Sequence, residues 1–252
     1  MATEMCVLAF AAQKGGVGKT TLAGHIAVAA HLAGVGPVGI IDTDPQGSLR
    51  KWLEVRSIEG LSEFSAEHGG FGPALREAAA AGMKLVIVDT PPAVTRAISD
   101  VVAHADLVVV PTRPSPHDLR AVGPTVDIAE WHEKPLVFVI NGATARTRIT
   151  ADAAVALSQH GTVAPVTLHH RVDFAASMID GRTVMEAKPD GRSAGEVEGL
   201  WAYLADRIVR LQPGEGAAAQ GPAHGDVFSA AVPSNMNALG QRAPAFGRRA
   251  GH

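Results

Sequence analysis

The sequence has little cysteine, no long apolar run and no excess of charge of either sign. Its 252 residues include a single cysteine, Cys6. One thiol cannot form an internal disulfide, and alone it does not hold zinc or an iron–sulfur cluster. We expect it to be a small buried hydrophobe. No apolar stretch reaches the roughly 18–20 residues of a membrane-spanning helix, and the N-terminus lacks a secretory signal pattern. These absences predict a soluble, cytoplasmic protein.

The charge balance gives no sign of a nucleic-acid partner for the chain as a whole. Lys and Arg number 22 against 25 Asp and Glu, for a formal net charge of −3, so any binding to nucleic acid would need a local basic patch. Hydrophobic residues make up 46% and charged residues 19% of the chain, which is typical of globular proteins. The length suffices for one large domain or two small ones.

Short apolar runs alternate with helical patterns along most of the chain. We predict strands at residues 5–11, 38–41, 85–88, 107–110, 136–140 and, more weakly, 163–168. Predicted helices cover residues 20–33, 73–81, 95–105, 118–130, 150–160 and 195–211. Continuous apolar strands separated by helices indicate an α/β fold, a doubly wound and mostly parallel sheet flanked by helices. Because ligands bind at the carboxyl ends of such strands, Asp42, Asp89 and Asn141, which close three of them, should lie at one rim.

The composition changes after about Pro213. Residues 213–252 are rich in Gly, Ala and Pro and show no sustained period. Such a segment buries too little surface to offset its ordering entropy. We therefore expect a folded domain at residues 1–212 and a flexible tail at 213–252. The tail is either an inert extension or the carrier of a short binding motif near residues 228–239, or of basic contacts from Arg242, Arg248 and Arg249.

The stretch AAQKGGVGKTT, residues 11–21, lies between the first predicted strand and the first helix. It follows the phosphate-loop pattern G-x-x-x-x-G-K-[ST], except that Gln13 stands where the first glycine is expected. Its glycines would let backbone N–H groups close around phosphate oxygens, and the helix N-terminus adds to that attraction. Lys19 would contact the β- and γ-phosphates and Thr20 would bind Mg²⁺. The pattern does not explain a second lysine, Lys14.

Three aspartates follow strands in the same region. Asp89 closes LVIVD, residues 85–89, which has the form of a Walker B strand whose carboxylate holds Mg²⁺ through its water shell. Asp42 and Asp44, in IIDTDPQGS, form a second acidic pair. On its own this second pair would indicate helix capping and an Asp-Pro turn rather than a metal site.

Taken together, KGGVGKTT, IDTDPQGS and VIVDTPP, in this order, resemble the ParA/MinD family of deviant Walker-A ATPases. The segment DLVVVPTRPSPHDL, residues 106–119, is most similar to the small ParA-type partition ATPases that lack an N-terminal DNA-binding domain. The resemblance covers roughly residues 5–210. It implies a P-loop ATPase that needs ATP and Mg²⁺, hydrolyses ATP slowly without a partner, and forms an ATP-sandwich homodimer. In that dimer the extra lysine, Lys14, reaches the partner's nucleotide, much as an arginine finger does.

The resemblance also implies a role for each site residue. Asp44 would orient the attacking water, so Lys14, Lys19 and Asp44 would be catalytic. Thr20, Asp42 and Asp89 would hold the metal. Asn141 would meet adenine, although Asn-Gly is also an ordinary turn. The implied nucleotide-binding residues are Lys14, Gly15, Gly16, Val17, Gly18, Lys19, Thr20, Thr21 and Asn141.

The function implied by the resemblance is partition or positioning of a plasmid, a chromosome or another intracellular cargo. The ATP-bound dimer would hold nonspecific DNA, which would place the protein on the nucleoid, and an adaptor or ParB-like protein would stimulate hydrolysis. Asp173 stands about where the family has another arginine, and five more carboxylates share this segment, so a charged, solvated surface is an equal alternative. The predicted DNA contacts are Arg171, Arg182, Lys188, Arg192, Arg207 and Arg210.

Three alternatives use the same scaffold. A MinD-like, membrane-associated spatial regulator would need an amphipathic C-terminal helix, whereas this tail has prolines at 222, 233 and 244 and no clear apolar stripe. We therefore expect no membrane partner. Metal-cluster relatives would need cysteines shared across the dimer, for which Cys6 is badly placed. A biosynthetic ligase or kinase would need a small-molecule pocket that the sequence does not reveal.

Overall fold

The computed structural model describes residues 5–66, 70–93 and 96–211. The predicted tail, residues 213–252, lies outside these ranges. The strands are β1 (Cys6–Phe10), β2 (Val38–Asp42), β3 (Leu61–Glu63), β4 (Leu85–Asp89), β5 (Leu107–Thr112), β6 (Leu136–Ile140) and β7 (Thr162–Val163). They form one sheet in the order β3-β2-β4-β1-β5-β6-β7. Every pairing in it is parallel. The predicted doubly wound α/β fold is confirmed.

Helices cover both faces of this sheet. They are α1 (Lys19–Leu32), α2 (Ser48–Glu54), α3 (Phe71–Ala80), α4 (Arg96–His104), α5 (Pro116–Arg120), α6 (Gly123–Trp131), α7 (Arg148–Ser158), α8 (Val172–Met178), α9 (Val184–Ala187) and α10 (Arg192–Leu211). Within the described ranges, no helix is long and apolar enough to cross a membrane.

The buried core divides into two layers, one on each face. Along β1 the side chains alternate, so that Leu8 and Phe10 join the layer containing α1, α2, α9 and α10. Val7 and Ala9 join the layer containing α3, α4, α6 and α7. A strand covered on both faces has no solvent-exposed side chains, and its sequence is therefore a continuous apolar run. Cys6 is buried among them, as predicted, and burial, followed by the nearby Asp106, raises the pKa of its thiol to about 12.

The structure corrects several predicted boundaries. The predicted helix at residues 118–130 is two helices, α5 and α6. Pro124 lies in the first turn of α6, where its missing N–H is harmless, but within a continuous helix its ring would clash with the preceding turn. The predicted strand at 163–168 shrinks to the two residues of β7. The elements β3, α2, α8 and α9 were not predicted, because each is too short for its periodicity to be read.

His25, in α1, is a buried polar residue that ties this helix to α9. Its Nδ1 lies 2.7 Å from the Thr21 carbonyl oxygen, and the Val184 N–H donates to its Nε2 at 3.3 Å. This arrangement requires a neutral ring with the proton on Nδ1. Burial lowers the pKa of His25 to about 4, although the Thr21 carbonyl and Glu186 act in the opposite direction.

This lowered pKa predicts a loss of stability in mild acid. Between about pH 6.5 and pH 4 the unfolded chain binds a proton at His25 and the folded chain does not, so the free energy of unfolding falls by roughly 3 kcal/mol as the pH decreases through this interval. Urea unfolding of wild type and His25→Gln measures the effect. We expect His25→Gln to lose clearly less stability over the interval. His160→Gln, at an exposed position, serves as the control. Equal pH slopes for wild type and His25→Gln would contradict the assignment.

Candidate nucleotide site

The loop between β1 and α1 needs glycine at two positions for geometric reasons. Gly16 has φ +76° and Gly18 has φ +95°, a left-handed conformation that side chains disfavour. A Cβ atom on Gly18 would also collide with the side-chain amide of Asn141. Gly18 is the N-cap of α1, so the loop leads directly into a helix N-terminus, where free backbone N–H groups attract anions.

Lys19 is held inside this loop. Its side chain is buried, and its Nζ donates to the carbonyl oxygens of Ala12 at 3.1 Å and Lys14 at 3.5 Å. Burial lowers the pKa of Lys19, while Asp89 and Asp44 partly oppose that shift. An ammonium group in this position faces the space enclosed by the loop. It is placed to meet phosphate oxygens there.

Asp89 and Thr20 form the second component of the site. Thr20 Oγ1 donates to Asp89 Oδ2 at 2.5 Å, whereas Asp89 Oδ1 is buried without a hydrogen-bond partner among the described residues. Burial, with a smaller contribution from the neighbouring Asp42 and Asp44, raises the pKa of Asp89 to about 7, although the Thr20 hydrogen bond and Lys19 act in the opposite direction. Asp42 lies directly opposite Asp89 in the sheet register. An orphaned carboxylate oxygen beside a hydroxyl group fits Mg²⁺, which prefers oxygen ligands and keeps several waters.

No group of three or more His, Cys, Asp or Glu side chains in the described part of the chain is arranged to hold a metal ion by itself. A Mg²⁺ ion at Thr20 and Asp89 would therefore depend on phosphate oxygens and water for its remaining ligands. Such joint binding of metal and nucleotide is the usual arrangement where Mg²⁺ serves a phosphate site.

The carboxylates of Asp42 and Asp44 differ in how many backbone N–H groups they bind. Asp42 Oδ1 accepts from the Asp44 N–H, and its Oδ2 accepts from the N–H groups of Leu49 and Arg50 in the first turn of α2. Both oxygens thus fix backbone, which is the capping alternative considered above; burial nevertheless raises the pKa of Asp42. Among the described residues the Asp44 carboxylate accepts one hydrogen bond, from the Gln46 N–H at 2.9 Å. It lies on the wall of the phosphate-loop cavity and is the freer of the two carboxylates for chemistry.

Lys14 points away from Lys19. Its Nζ lies 3.1 Å from Asp118 Oδ2 on α5, and its side chain is 40% exposed while that of Asp118 is 6% exposed. The Ser115 hydroxyl donates to the same Asp118 oxygen, and Asp118 Oδ1 is buried without a partner among the described residues. Lys14 is absent from the wall of the cavity that its own loop encloses. Lys19 therefore faces the cavity of its own chain, whereas Lys14 contacts α5 outside that cavity.

The cavity enclosed by the loop has a volume of about 370 Å³, within the range of small-molecule sites. Sequence reasoning had placed several of its lining residues there, namely Gly15, Gly16, Gly18, Lys19, Thr20, Thr21, Asp44 and Asn141. The predicted metal residues Asp42 and Asp89 end adjacent strands, opposite each other in register, and Asp89 meets the cavity residue Thr20. Val17, within the loop, is buried.

Asn141 is fixed at one end of the cavity. Its Nδ2 donates to the Val17 carbonyl oxygen at 2.7 Å, which leaves Oδ1 free to accept a hydrogen bond, for example from an exocyclic amine of a base. The side chain thus connects the phosphate loop to the carboxyl end of β6. Its predicted contact with adenine stays a prediction.

Sequence reasoning missed part of the cavity wall. Arg113, His169, His170 and Phe174 line it. The segment 169–171 is held by Glu196 of α10, which accepts from both guanidinium ends of Arg171 at 2.6 and 2.7 Å and from the His169 ring and N–H. Burial raises the pKa of Glu196, but these hydrogen bonds outweigh it and the net pKa is lowered. The available signal was position: Arg113 directly follows β5, and His169, His170 and Phe174 come after the short strand β7, so all four lie beyond the carboxyl end of a strand.

The predicted DNA contacts do not form a single patch of free cations. Four of the six cations are ion-paired: Arg171 with Glu196, Arg182 with Asp180, Lys188 with Asp173 and Arg210 with Asp206. Arg192 is exposed at the start of α10, and Arg207 is half-buried with its Nε lacking a partner in the described ranges. The helical rise alone separates Arg192 from Arg210 by about 27 Å. Their role on DNA stays a prediction.

Comparison with known proteins agrees with this geometry. The family model for the CobQ/CobB/MinD/ParA nucleotide-binding domain matches residues 8–209. Maintenance of carboxysome distribution protein A of Halothiobacillus neapolitanus is 29% identical over 198 residues, 75% of this chain and 91% of that protein. Protein ParA of Rhizobium radiobacter is 32% identical over 212 residues, 79% of this chain and 94% of that protein.

A solved structure shows the same fold. Cyanothece McdA in an ATP complex superimposes with a TM-score of 0.63 at 18% identity, covering 81% of this chain and 97% of that one. The match to the family model extends over most of the described chain and includes every element from α1 to β7. The chain therefore belongs to the CobQ/CobB/MinD/ParA family of nucleotide-binding domains, within which its motifs and its relatives are those of ParA/MinD ATPases.

Proposed function

We propose that this protein is an ATP-driven positioning switch, and the observation that carries the proposal is the divergence of its two loop lysines. Lys19 points into the cavity of its own chain, and Lys14 does not. A partly exposed lysine beside a phosphate cavity is suited to serve the nucleotide of a second copy. In this proposal the ATP site is therefore complete only in a homodimer, where each subunit receives the Lys14 of the other.

Charge explains why ATP would control such a dimer. Two triphosphates that face each other repel strongly at short range, because their interaction scales inversely with distance and is poorly screened away from water. A lysine entering from each partner offsets that repulsion and stabilises charge that develops on the γ-phosphate. Hydrolysis and release of the γ-phosphate remove the anion that Lys14 contacts across the dimer interface. ATP turnover then separates the subunits.

The remaining residues have defined tasks in this proposal. Lys19 and the loop N–H groups bind the β- and γ-phosphates. Thr20, with Asp89 behind it, holds Mg²⁺, which would neutralise phosphate charge when bound. Asp44, whose carboxylate lies at the cavity wall and accepts from the Gln46 N–H, orients the attacking water. Asn141 offers its free oxygen to the base.

The relatives support the cellular part of the proposal. One is named for the distribution of carboxysomes and another is a ParA protein. We therefore place this chain among ATPases that position a large intracellular cargo, a protein organelle or a replicon. The dimer holds nonspecific DNA on the nucleoid, and an adaptor or ParB-like protein on the cargo stimulates hydrolysis. The identity of the cargo lies in that partner.

The first test is binding to nonspecific duplex DNA with ATP, with ADP and without nucleotide, across a salt series, with the oligomeric state measured in parallel. We expect dimers and salt-sensitive DNA binding only with ATP, because phosphate contacts release counterions. An ATP-loaded dimer that ignores DNA would contradict the DNA tether while leaving the switch intact. Flotation of that dimer with anionic liposomes would then support the membrane-associated alternative.

A further inference from the structure

We propose that the DNA backbone is bound by four arginines on the two segments that follow β5 and β6, rather than by the C-terminal third of the chain. Each segment comprises a loop and part of the helix after it, so that Arg120 ends α5 and Arg148 begins α7. These arginines, Arg113, Arg120, Arg146 and Arg148, are called the β5–β6 loop surface below. The inference rests on the DNA-tethered function proposed above and specifies where the tether lies. The first observation concerns which cations lack a carboxylate partner among the described residues.

The four arginines are exposed and nearly unpaired. Within the described residues, no carboxylate oxygen lies within ion-pair distance of Arg113, Arg120 or Arg146, and all three are exposed. Arg148 meets Asp152 only at 3.8 Å, with the two side chains 92% and 65% exposed. Exposed pairs of this kind are worth little and dissociate readily. All four charges are available to an external anion.

Neighbouring strands bring the two loops together. β5 and β6 are adjacent in the sheet, with Thr112 opposite Ile140 at their carboxyl ends. The Arg113 side chain lies over the second loop, because a Cβ atom at Gly142 would be 3.7 Å from Arg113 Nε. The helices that follow the two loops, α5 and α7, pack against each other. The loops thus form one continuous surface.

Little negative charge lies within this surface. Between residues 113 and 123 and between 141 and 148 the only carboxylate is Asp118, which is buried and paired with Lys14. In the C-terminal third, by contrast, carboxylates already hold most of the predicted cations. A phosphate would have to displace Asp180 from Arg182 or Asp206 from Arg210. On the β5–β6 loop surface Arg148 alone has a carboxylate to exchange among the described residues, Asp152 at 3.8 Å, against distances of 2.7 Å for Arg182 and 3.0 Å for Arg210.

The composition of the two loops favours duplex over single-stranded DNA, and contacts with phosphates over contacts with base edges. Residues 113–123 and 141–148 contain no Phe, Tyr or Trp, whereas single-stranded nucleic acids are commonly held by stacking on aromatic side chains. Arginines on loops without stacking partners contact phosphate and carry no sequence information by themselves. Binding of this kind is sequence-independent. This is what a general tether requires.

Arg113 places this surface beside the nucleotide. It is both a member of the surface and a residue of the phosphate-loop cavity wall. A nucleotide in the cavity would therefore contact the loop that leads from β5 into α5, the helix that ends at Arg120. We infer that ATP and DNA are sensed on adjoining parts of one rim, which would make DNA binding depend on the nucleotide state.

The test compares two sets of substitutions in the ATP-locked Asp44→Ala protein. The first combines Arg120→Ala, Arg146→Gly and Arg148→Ala; glycine suits position 146 because Arg146 has φ +60°. The matched control combines Arg182→Ala and Arg210→Ala, cations that are already paired. The probe is a nonspecific duplex, with ATP binding and dimerisation measured on each variant. Each lost phosphate contact should lower the slope of log K against log salt by about 1, which is roughly tenfold weaker binding per contact at 0.1 M salt.

The outcomes separate this inference from the function on which it rests. We expect the loop variant to keep ATP binding and dimerisation but to lose DNA affinity and salt slope, while the control variant retains both. Unchanged DNA binding by the loop variant, with loss in the control or in Arg192→Ala, would overturn the inference and return the contact to the C-terminal third. If the parent dimer fails to bind DNA at all, the tether and this surface fall together. Should the triple variant not fold, Arg120→Ala and Arg146→Gly are measured singly, each with a slope change of about 1.

Discussion

Lys19→Ala is expected to abolish measurable ATP binding. The ammonium is buried in the loop, where its charge-assisted contacts with the β- and γ-phosphates would each contribute about 1.5–3 kcal/mol. Losing two such contacts corresponds to a fall in affinity of at least about 100-fold. The substitution also removes the donor to the carbonyl oxygens of Ala12 and Lys14 that holds the loop closed. Calorimetric titration with ATP and Mg²⁺ measures the loss.

The matched control is Lys14→Ala in the same loop. Because Lys14 faces Asp118 rather than the cavity of its own chain, we expect this variant to bind ATP as a monomer and to fail in dimerisation. The pair thereby separates nucleotide binding from nucleotide-dependent assembly. Tight ATP binding by Lys19→Ala would remove the loop from the nucleotide site.

Asp44→Ala is expected to leave ATP binding and dimerisation intact while hydrolysis falls by about 100-fold or more, the usual contribution of a positioned acid or base. The fold should tolerate the change, since within the described part of the chain the Asp44 side chain holds a single backbone group, the Gln46 N–H. Asp42→Ala would be a poor substitute, because Asp42 holds three backbone N–H groups. Phosphate release by the ATP-loaded dimer is the measurement. Normal turnover would exclude Asp44 from the reaction.

Much of the fold could be predicted because its central strands are buried on both faces. β1, β4 and β5 are then uninterrupted apolar runs, and the aspartates that end β2 and β4 mark the functional rim. The phosphate loop was equally visible, since glycines with positive φ, a lysine and a threonine must follow one another along the chain. Local geometry of this kind leaves a local signal in the sequence.

The remainder depends on contacts that are distant in sequence. Glu196 holds His169 and Arg171 in the cavity wall across more than twenty residues, and no spacing rule indicates that pairing. Among the C-terminal cations, Arg210 and Asp206 have the i,i+4 spacing of a helical ion pair, whereas the pairing of Lys188 with Asp173 is visible only in the structure. The sequence shows how many arginines a segment has. Whether each arginine is available to bind DNA phosphate depends on which carboxylates lie near it in the fold.

The contact between Lys14 and Asp118 has a consequence for concentration dependence. If Lys14 serves a second subunit, it must first leave a buried carboxylate whose one other hydrogen-bond donor among the described residues is the Ser115 hydroxyl. An unpaired buried charge is costly, so each subunit resists donating its lysine until a triphosphate across the interface offers a stronger anion. By linkage, whatever strengthens this internal pair raises the protein concentration at which half of the chains assemble. The internal ion pair would thus set the threshold for assembly, and a few kcal/mol at one side chain would decide how much protein the cell must hold before switching begins.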